Sequence, residues 1–594
     1  MEKRVFLAIF LSFAVLAGYQ LMFPPPPVAP LSQPPASPAA GTTAAPVTTP
    51  APAGTAPAAT AVEGGGTQPA QPPGLLPPAP LVADAAARDV VVDTDWITAR
   101  FSSAGGTLRS WKLKRYLENG QPLELVPQAL PDKHTLPFTL ATDDASLTRV
   151  LASALYKPSA DGLTLGAAPG TLTFQFQNAA GLTARKTFYF QPEGHVYVVK
   201  VEAAIDVNGK SLPVRISSGP MIGLGHGTDG VAAQPPRAVQ FRDNRVERLA
   251  ASSLITQSKY EGAMKFAGVE DHYFLHAALA NNENIHVEYE PITEPVPNDP
   301  QGATRSFVAY TIAMPGAASV QYFIGPKDFD VLRNVGPQLD LVYAIDFGMF
   351  RVIVVPLLQA LKSINKYVGN YGWSIVILTI LINLAIFPLR HRSMVSMRKM
   401  QAIQPEMKAI QDRYKHLKVT DPERQKMNTE MMSLYKQRGV NPASGCLPML
   451  LTLPILFALY AMLSVAIELR GAPFFGWIKD LSHFDPWYVT PVLMGGTMFL
   501  QQRMMPTNAD PVQQKVFMLL PLIFTFSFLR APSGLVIYWL VSNLLAIGQQ
   551  MVTNRIIGAP PVPAAAMRGK TAAAAAAAST RKGTKPGNGS TNKS

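Results

Sequence analysis

The apolar pattern of the chain is sharpest at Tyr371–Arg392, YGWSIVILTILINLAIFPLRHR. Seventeen residues from Trp373 to Leu389 are almost wholly apolar, and the basic residues Arg390, His391 and Arg392 close the run. Such a run, ending abruptly in cations, predicts a membrane-spanning helix. Thr379 and Asn383 stand four residues apart inside it and share one helical face. An amide in hydrocarbon costs several kcal/mol unless it meets a partner or water. That face therefore looks into protein or a wet cavity, and function is to be sought there.

Other apolar runs follow the same logic. Met1–Phe23 opens with Lys3 and Arg4 and continues VFLAIFLSFAVLAGYQLMF. Val15-x-Ala17 imitates a signal-peptide cleavage site. The run is long enough to span, however, and reads as an uncleaved signal anchor with a cytoplasmic N-terminus. Residues 24–83 are Pro, Ala, Thr and Gly with almost no charge, a disordered tether. Across 84–335 the pattern turns to alternation. Thr171–Asn178 (TLTFQFQN) and Lys186–Ile205, broken by Pro-Glu-Gly, predict strands, with further strand-like runs at Val90–Phe101, Ile285–Tyr289 and Ala317–Ile324. No long helical pattern separates them, so the expected fold here is a large antiparallel β-sandwich.

Residues 346–366 are apolar on one side, interrupted by Pro356, and predict an amphipathic helix lying in the outer interface. After Arg390 the chain turns basic, with twelve Lys/Arg against five acids up to Arg438. Met394, Met397, Ile403, Met407, Ile410 and Tyr414 recur at mostly helical spacing, and Thr420-Asp421-Pro422-Glu423 opens a second helix carrying Met427, Met431, Leu434 and Tyr435. The segment 391–440 thus predicts a basic helical hairpin. Its methionines are ordinary packing or a face for varied hydrophobic partners. Spans are expected at Cys446–Ile467, Trp487–Leu500, Val516–Leu529 and Leu535–Val552. Counted from a cytoplasmic N-terminus this gives a polytopic α-helical membrane protein of six transmembrane helices, with the sandwich outside and both hairpin and C-terminus inside, as the positive-inside rule requires.

Composition agrees: 48% of the 594 residues are hydrophobic and only 15% charged, with a formal net charge of +13. That balance suits anionic headgroups or RNA, and the acid-free tail 556–594 suits either. A single cysteine, Cys446, excludes an intrachain disulfide and multi-thiolate metal sites. Gly223-x-Gly225-x-Gly227 imitates a phosphate loop, but Asp229-Gly230 and a Pro pair follow where a helix should begin, so it reads as a turn. His272 and His276, beside Asp271, read as alternate strand residues rather than metal ligands. No cofactor or metal is expected.

Tyr371-Gly372-Trp373, Asn441-Pro442-x-x-Gly445-Cys446-x-Pro448, Pro454-Ile455, Asp510-Pro511, Pro532-Ser533-Gly534-Leu535 and Ser542-Asn543 stand in the order and contexts of the YidC/Oxa membrane protein insertases. The resemblance covers roughly Phe347–Arg555, and the layout resembles the Gram-negative branch, with its signal anchor and periplasmic sandwich. It implies a five-helix insertase core over 371–555, in the inner membrane of a Gram-negative bacterium. It also implies a groove open to cytoplasm and lipid, lined at positions resembling Asn383, Thr379, Thr452, Tyr538 and Trp539. The hairpin residues Met394, Met397, Arg398, Lys399, Met407 and Met431 are the expected contacts to nascent chain or ribosome. Where the family carries a groove arginine, five residues before the closing proline, this chain has Asn383. A polar but uncharged groove is therefore expected.

The expected activity is energy-independent insertion and folding of nascent membrane proteins, alone or with a Sec translocon, with ribosomal RNA met by the basic tail and no small-molecule substrate. The barrier to insertion is desolvation of the client's polar flank. A cavity reaching midway keeps that flank hydrated, and spans of about 14 residues, reaching ~21 Å, thin a bilayer of ~30 Å. Three other readings compete. A secondary transporter would show an internal repeat or a central ionisable residue. An anchored carbohydrate-active enzyme would need an acid/base pair and only one span, and a channel would use the wet groove as a leak.

Overall fold

The computed structural model describes residues 79–557 apart from short internal segments, the longer being 223–234 and 296–303. The expected anchor, tether, basic tail and Gly223–Gly227 turn lie outside the described residues.

Residues 80 to 326 form two facing sheets, one of fourteen strands and one of five. Alternation builds the inner faces. In Gly170–Asn178, Leu172, Phe174 and Phe176 turn inward, and in Leu182–Phe190, Leu182, Ala184 and Phe188 do. Phe101 of the smaller sheet meets Phe188 and Phe174 of the larger at 4.6 and 6.1 Å between ring centroids. Lys186 falls on the same inward face. Its Nζ donates to the carbonyls of Gly105, Gly106 and Phe138, each at 2.7 Å. Gly105 and Gly106 both have positive φ, and a Cβ on Gly105 would stand 2.6 Å from Ala152 O, so this turn needs glycine.

Two strand expectations change. Val90–Phe101 is not one strand but two, Asp89–Thr94 and Ile97–Ser102. Thr94 Oγ1 accepts from the Trp96 and Ile97 backbone N–H at 3.2 and 3.1 Å and reverses the chain between them. The smaller sheet also holds a parallel pair, Asp89–Thr94 with Gly162–Gly166, so the sandwich is not wholly antiparallel.

The sandwich carries helix α1 (Ala145–Ser153) and a single turn, α2 (Ala251–Leu254), and ends in α3 (Phe329–Val335). Asp328 caps α3, accepting from Asp330 N at 2.8 Å and Val331 N at 3.2 Å. Next comes α4 (Arg351–Val368), which packs Val354, Leu358 and Leu361 inward and ends at Gly369 in the left-handed region. It runs unbroken through Pro356, correcting the expected interruption: Pro356 is the helix's sixth residue, where only one backbone hydrogen bond is forfeited. Helix α5 (Tyr371–Ala402) is longer than its apolar run, passing Pro388 and continuing to Ala402. The first arm of the hairpin is therefore mostly an extension of the span. A single turn separates it from α6 (Gln404–Arg413), which pairs with α7 (Glu423–Gln437) through Arg438–Glu406 and Arg413–Glu430 ion pairs.

The remaining helices are α8 (Leu447–Val465), α9 (Val489–Met504), α10 (Pro511–Ser527) and α11 (Ser533–Ile557). Among the described residues, α5 and α11 are long and apolar enough to cross a membrane, while α8 and α10 contribute shorter apolar stretches. One apolar core runs from the sandwich into the helices, joining Phe274 and Leu332 to Leu358, Ile375, Ala458, Leu463 and Leu535.

Candidate functional site

A cavity of about 350 Å³ lies between α5, α8, α9 and α11. From α5 come Ile382, Asn383, Ile386, Arg390, Ser393, Met394 and Met397, one face of a helix at three- and four-residue steps. Leu453, Ile455 and Leu456 of α8 form an apolar wall, and Gln501 and Met504 come from α9. Opposite them α11 presents Tyr538, Trp539, Ser542, Asn543, Ala546, Gln549 and Gln550 among others.

Asn383 is buried and fully employed. Its Nδ2 donates to Thr379 O at 2.8 Å and approaches Ser542 Oγ at 3.4 Å, and its Oδ1 accepts from Arg390 Nη1 at 2.8 Å. The cavity therefore does hold a cation, where the sequence predicts a polar but uncharged lining. Arg390 stands seven residues after Asn383, close to two full turns, so its side chain folds back along the same face. Sequence reasoning treated Arg390 as the flank of an apolar run. The seven-residue spacing was the signal that places it inside.

The other expected groove residues are divided. Tyr538 and Trp539 line the cavity, and Trp539 is held from behind by Phe524 and Phe528 at 5.5 and 5.0 Å between centroids. Thr379 does not line it. The Thr379 hydroxyl is buried and donates to Ile375 O at 2.6 Å, one turn back in its own helix. Thr452 belongs to α8, but its side chain lies outside the described residues. The polar residues that sequence reasoning passed over are Ser542, Asn543, Gln549 and Gln550, again at about seven-residue spacing on α11. Asn543 Nδ2 is spent on Met494 O and Thr497 Oγ1 at 3.4 and 3.3 Å, whereas the buried Gln549 Nε2 makes no hydrogen bond.

The hairpin residues also separate. Met394 and Met397 face the cavity. Met407 Sδ accepts from Tyr435 Oη at 3.6 Å and Met431 Sδ from Gln411 Nε2 at 3.9 Å, both between the hairpin's arms. Arg398 is buried against Asn554 of α11, and Lys399 is exposed. In the sandwich, His276 packs against Tyr310, its Nε2 3.2 Å from Tyr310 Oη. His272 Nε2 lies 2.7 Å from Ser464 O, and Asp271 accepts from Tyr273 N and Phe274 N. The three thus serve separate partners.

Apolar helices enclosing a polar, cation-bearing cavity, two of them long enough to cross a membrane, and fused through one core to a β-sandwich, define the architecture of an integral membrane protein. Residues 363–559 match the model of the 60Kd inner membrane protein family, and residues 89–360 match that of the YidC periplasmic domain. The membrane protein insertase YidC of Geobacter metallireducens is 36% identical over 587 residues, covering 94% of this chain and 99% of that one. Its counterpart in Citrifermentans bemidjiense is 38% identical over 592 residues, covering 94% and 100%. That of Syntrophus aciditrophicus is 33% identical over 572 residues, covering 93% and 100%. This chain belongs to the YidC family of membrane protein insertases.

Proposed function

We propose that the cavity between α5, α8, α9 and α11 is the client groove, and that Arg390, steadied by Asn383, supplies its charge. The observation that carries this reading is the 2.8 Å bond from Arg390 to Asn383 inside a cavity whose α8 wall, Leu453, Ile455 and Leu456, is apolar and whose α11 wall carries uncharged polar groups. A cation amid apolar side chains attracts a carboxylate or carbonyl on a client's flank more strongly than one in water does. The flank waits there while the client's apolar segment passes sideways into lipid, which drives the step without a nucleotide.

Six spans complete this picture, with both termini cytoplasmic and the sandwich periplasmic. At 16 and 17 residues, α9 and α10 reach only about 24–26 Å at ~1.5 Å per residue, short of a ~30 Å hydrocarbon layer. Local thinning follows, which shortens the remaining crossing. The hairpin and the basic tail face the ribosome, and a Sec translocon shares some clients.

Photocrosslinkers at Met394 and Ser542 should capture a stalled nascent membrane segment, while one at Thr379, behind the lining, should not. Arg390→Gln should slow insertion of a client with an acidic flank roughly tenfold, the worth of one charged hydrogen bond, and leave a lysine-flanked client within about twofold. Capture of small solutes alone would favour the transporter. Removing residues 559–594 should weaken ribosome binding and flatten its salt dependence.

A further inference from the structure

Among the described residues, one set of polar contacts between the sandwich and the helical half gathers at and just after the end of α8. His272 Nε2 lies 2.7 Å from Ser464 O, on the last turn of that helix. Arg470 Nη1 donates to Leu117 O at 3.3 Å, and its guanidinium sits 5.7 Å from the centre of the Phe274 ring. Between these contacts stands Lys362 of α4. Its Nζ meets Glu468 Oε1 at 3.1 Å on one side, and Asp328 Oδ1 at 3.4 Å and the Asp330 carboxylate on the other. Burial alone would lower the Lys362 ammonium, but Glu468 and Asp328 more than offset this and hold it above its ordinary value.

Lys362 is thus one cation shared by three carboxylates, two at the end of the sandwich and one just beyond α8. Without it those carboxylates repel one another across the seam. The rest of the seam cannot replace it, because His272 Nδ1, Ser464 Oγ and Arg470 Nε are buried there with no hydrogen bond. Buried polar atoms left unpaired weaken a joint, so beside the apolar core it is the charges around Lys362, more than close polar fit, that fix this seam.

About two to three turns from Ser464, the same helix presents Leu453, Ile455 and Leu456 to the cavity. The turns from Ile455 to Ser464 follow Pro454 and contain no proline, so fixing their end fixes where Ile455 and Leu456 stand. We infer that the outer sandwich positions the apolar wall of the groove, and that Lys362, acting through Glu468, is the positioning residue. The sandwich and the groove are then two ends of one mechanical linkage, so anything that binds and shifts the sandwich alters the groove's width. The activity half of this inference rests on the cavity being the client groove; the geometric half does not.

The test uses the full chain, with Cys446→Ser, in phosphatidylethanolamine–phosphatidylglycerol vesicles. Spin labels replace Tyr460 on α8 and Leu544 on α11, both outward-facing. Lys362→Met should shift or broaden the 460–544 distance and slow client insertion about two- to thirty-fold, the range for residues that couple sites. Lys362→Arg should restore both. If Lys362→Met does not accumulate, Lys362→Met with Glu468→Gln, which leaves fewer repelling carboxylates, carries the same readout. An unchanged distance overturns the inference, whatever happens to insertion, because Lys362 would then only stabilise the protein. A changed distance with unchanged insertion overturns its activity half. If the cavity photocrosslinkers capture no client, the groove reading fails and the distance result still stands.

Discussion

His276 shows how much a single buried side chain can report. Burial among Phe138, Tyr310 and Tyr322 pushes its imidazole down to about 3, so it folds neutral, whereas in the unfolded chain it takes a proton near pH 6.5. Between those values the unfolded state binds more protons, so stability falls as pH falls. The loss amounts to about 2 kcal/mol by pH 5. His276→Gln keeps a polar group facing Tyr310 but cannot titrate, so its denaturation midpoint should be flatter over pH 7–5 than that of the parent chain. A parallel pair of pH profiles would mean that His276 is already charged in the fold. The groove pair sits at the same scale. Asn383 was legible as inward-facing because an amide inside an apolar run has nowhere else to go. Arg390 was not, because a basic residue at the end of such a run reads first as a membrane flank, and only its reach back along the helix shows the other role. Lys186 escaped notice for a related reason. Alternation places it inward, but sequence cannot show that three carbonyls wait there for its ammonium.

At the scale of elements, periodicity located helices and strands well and their ends poorly. The expected span Trp487–Leu500 forms as Val489–Met504 because Asp485 fixes its start. The buried carboxylate accepts from Trp477 Nε1 and Trp487 N through Oδ1, and from Thr490 N and Oγ1 through Oδ2, all between 2.8 and 3.0 Å. Asp485→Ala strips four donors of one acceptor and should destabilise the chain by about 3 kcal/mol. Thermal unfolding of the reconstituted protein would show this, and a loss below ~0.5 kcal/mol would mean that water replaces the carboxylate without penalty. The other surprise is continuity. Pro356 looked like a break and Pro388 stood at the expected end of its span, yet each forfeits a single backbone hydrogen bond within a helix that continues past it. Hence α5 spans 32 residues, about 48 Å at ~1.5 Å per residue, and it lines the cavity from Ile382 on its middle turns to Met397 farther along.

For the whole molecule, alternation and long apolar runs set a β half apart from a helical half but left the join invisible. Nothing in the spacing says that His272 meets Ser464 or that Lys362 meets Glu468, because long-range contacts leave no local period. The structure joins the halves by one apolar core and a shared set of charges. Two halves built this way should unfold together, so calorimetry of the full chain in lipid should show one main heat-absorption peak rather than two. The join also governs how such chains can be recombined. An outer domain borrowed from a relative and spliced in ahead of Asp328 would leave that aspartate, Lys362 and Glu468 all on the recipient's side, while Ser464 and Arg470 would face a foreign surface where His272 and Leu117 had been. A workable graft must therefore import matching counterparts of His272 and Leu117, and hybrids chosen only by where strands end and helices begin should assemble with a loose seam.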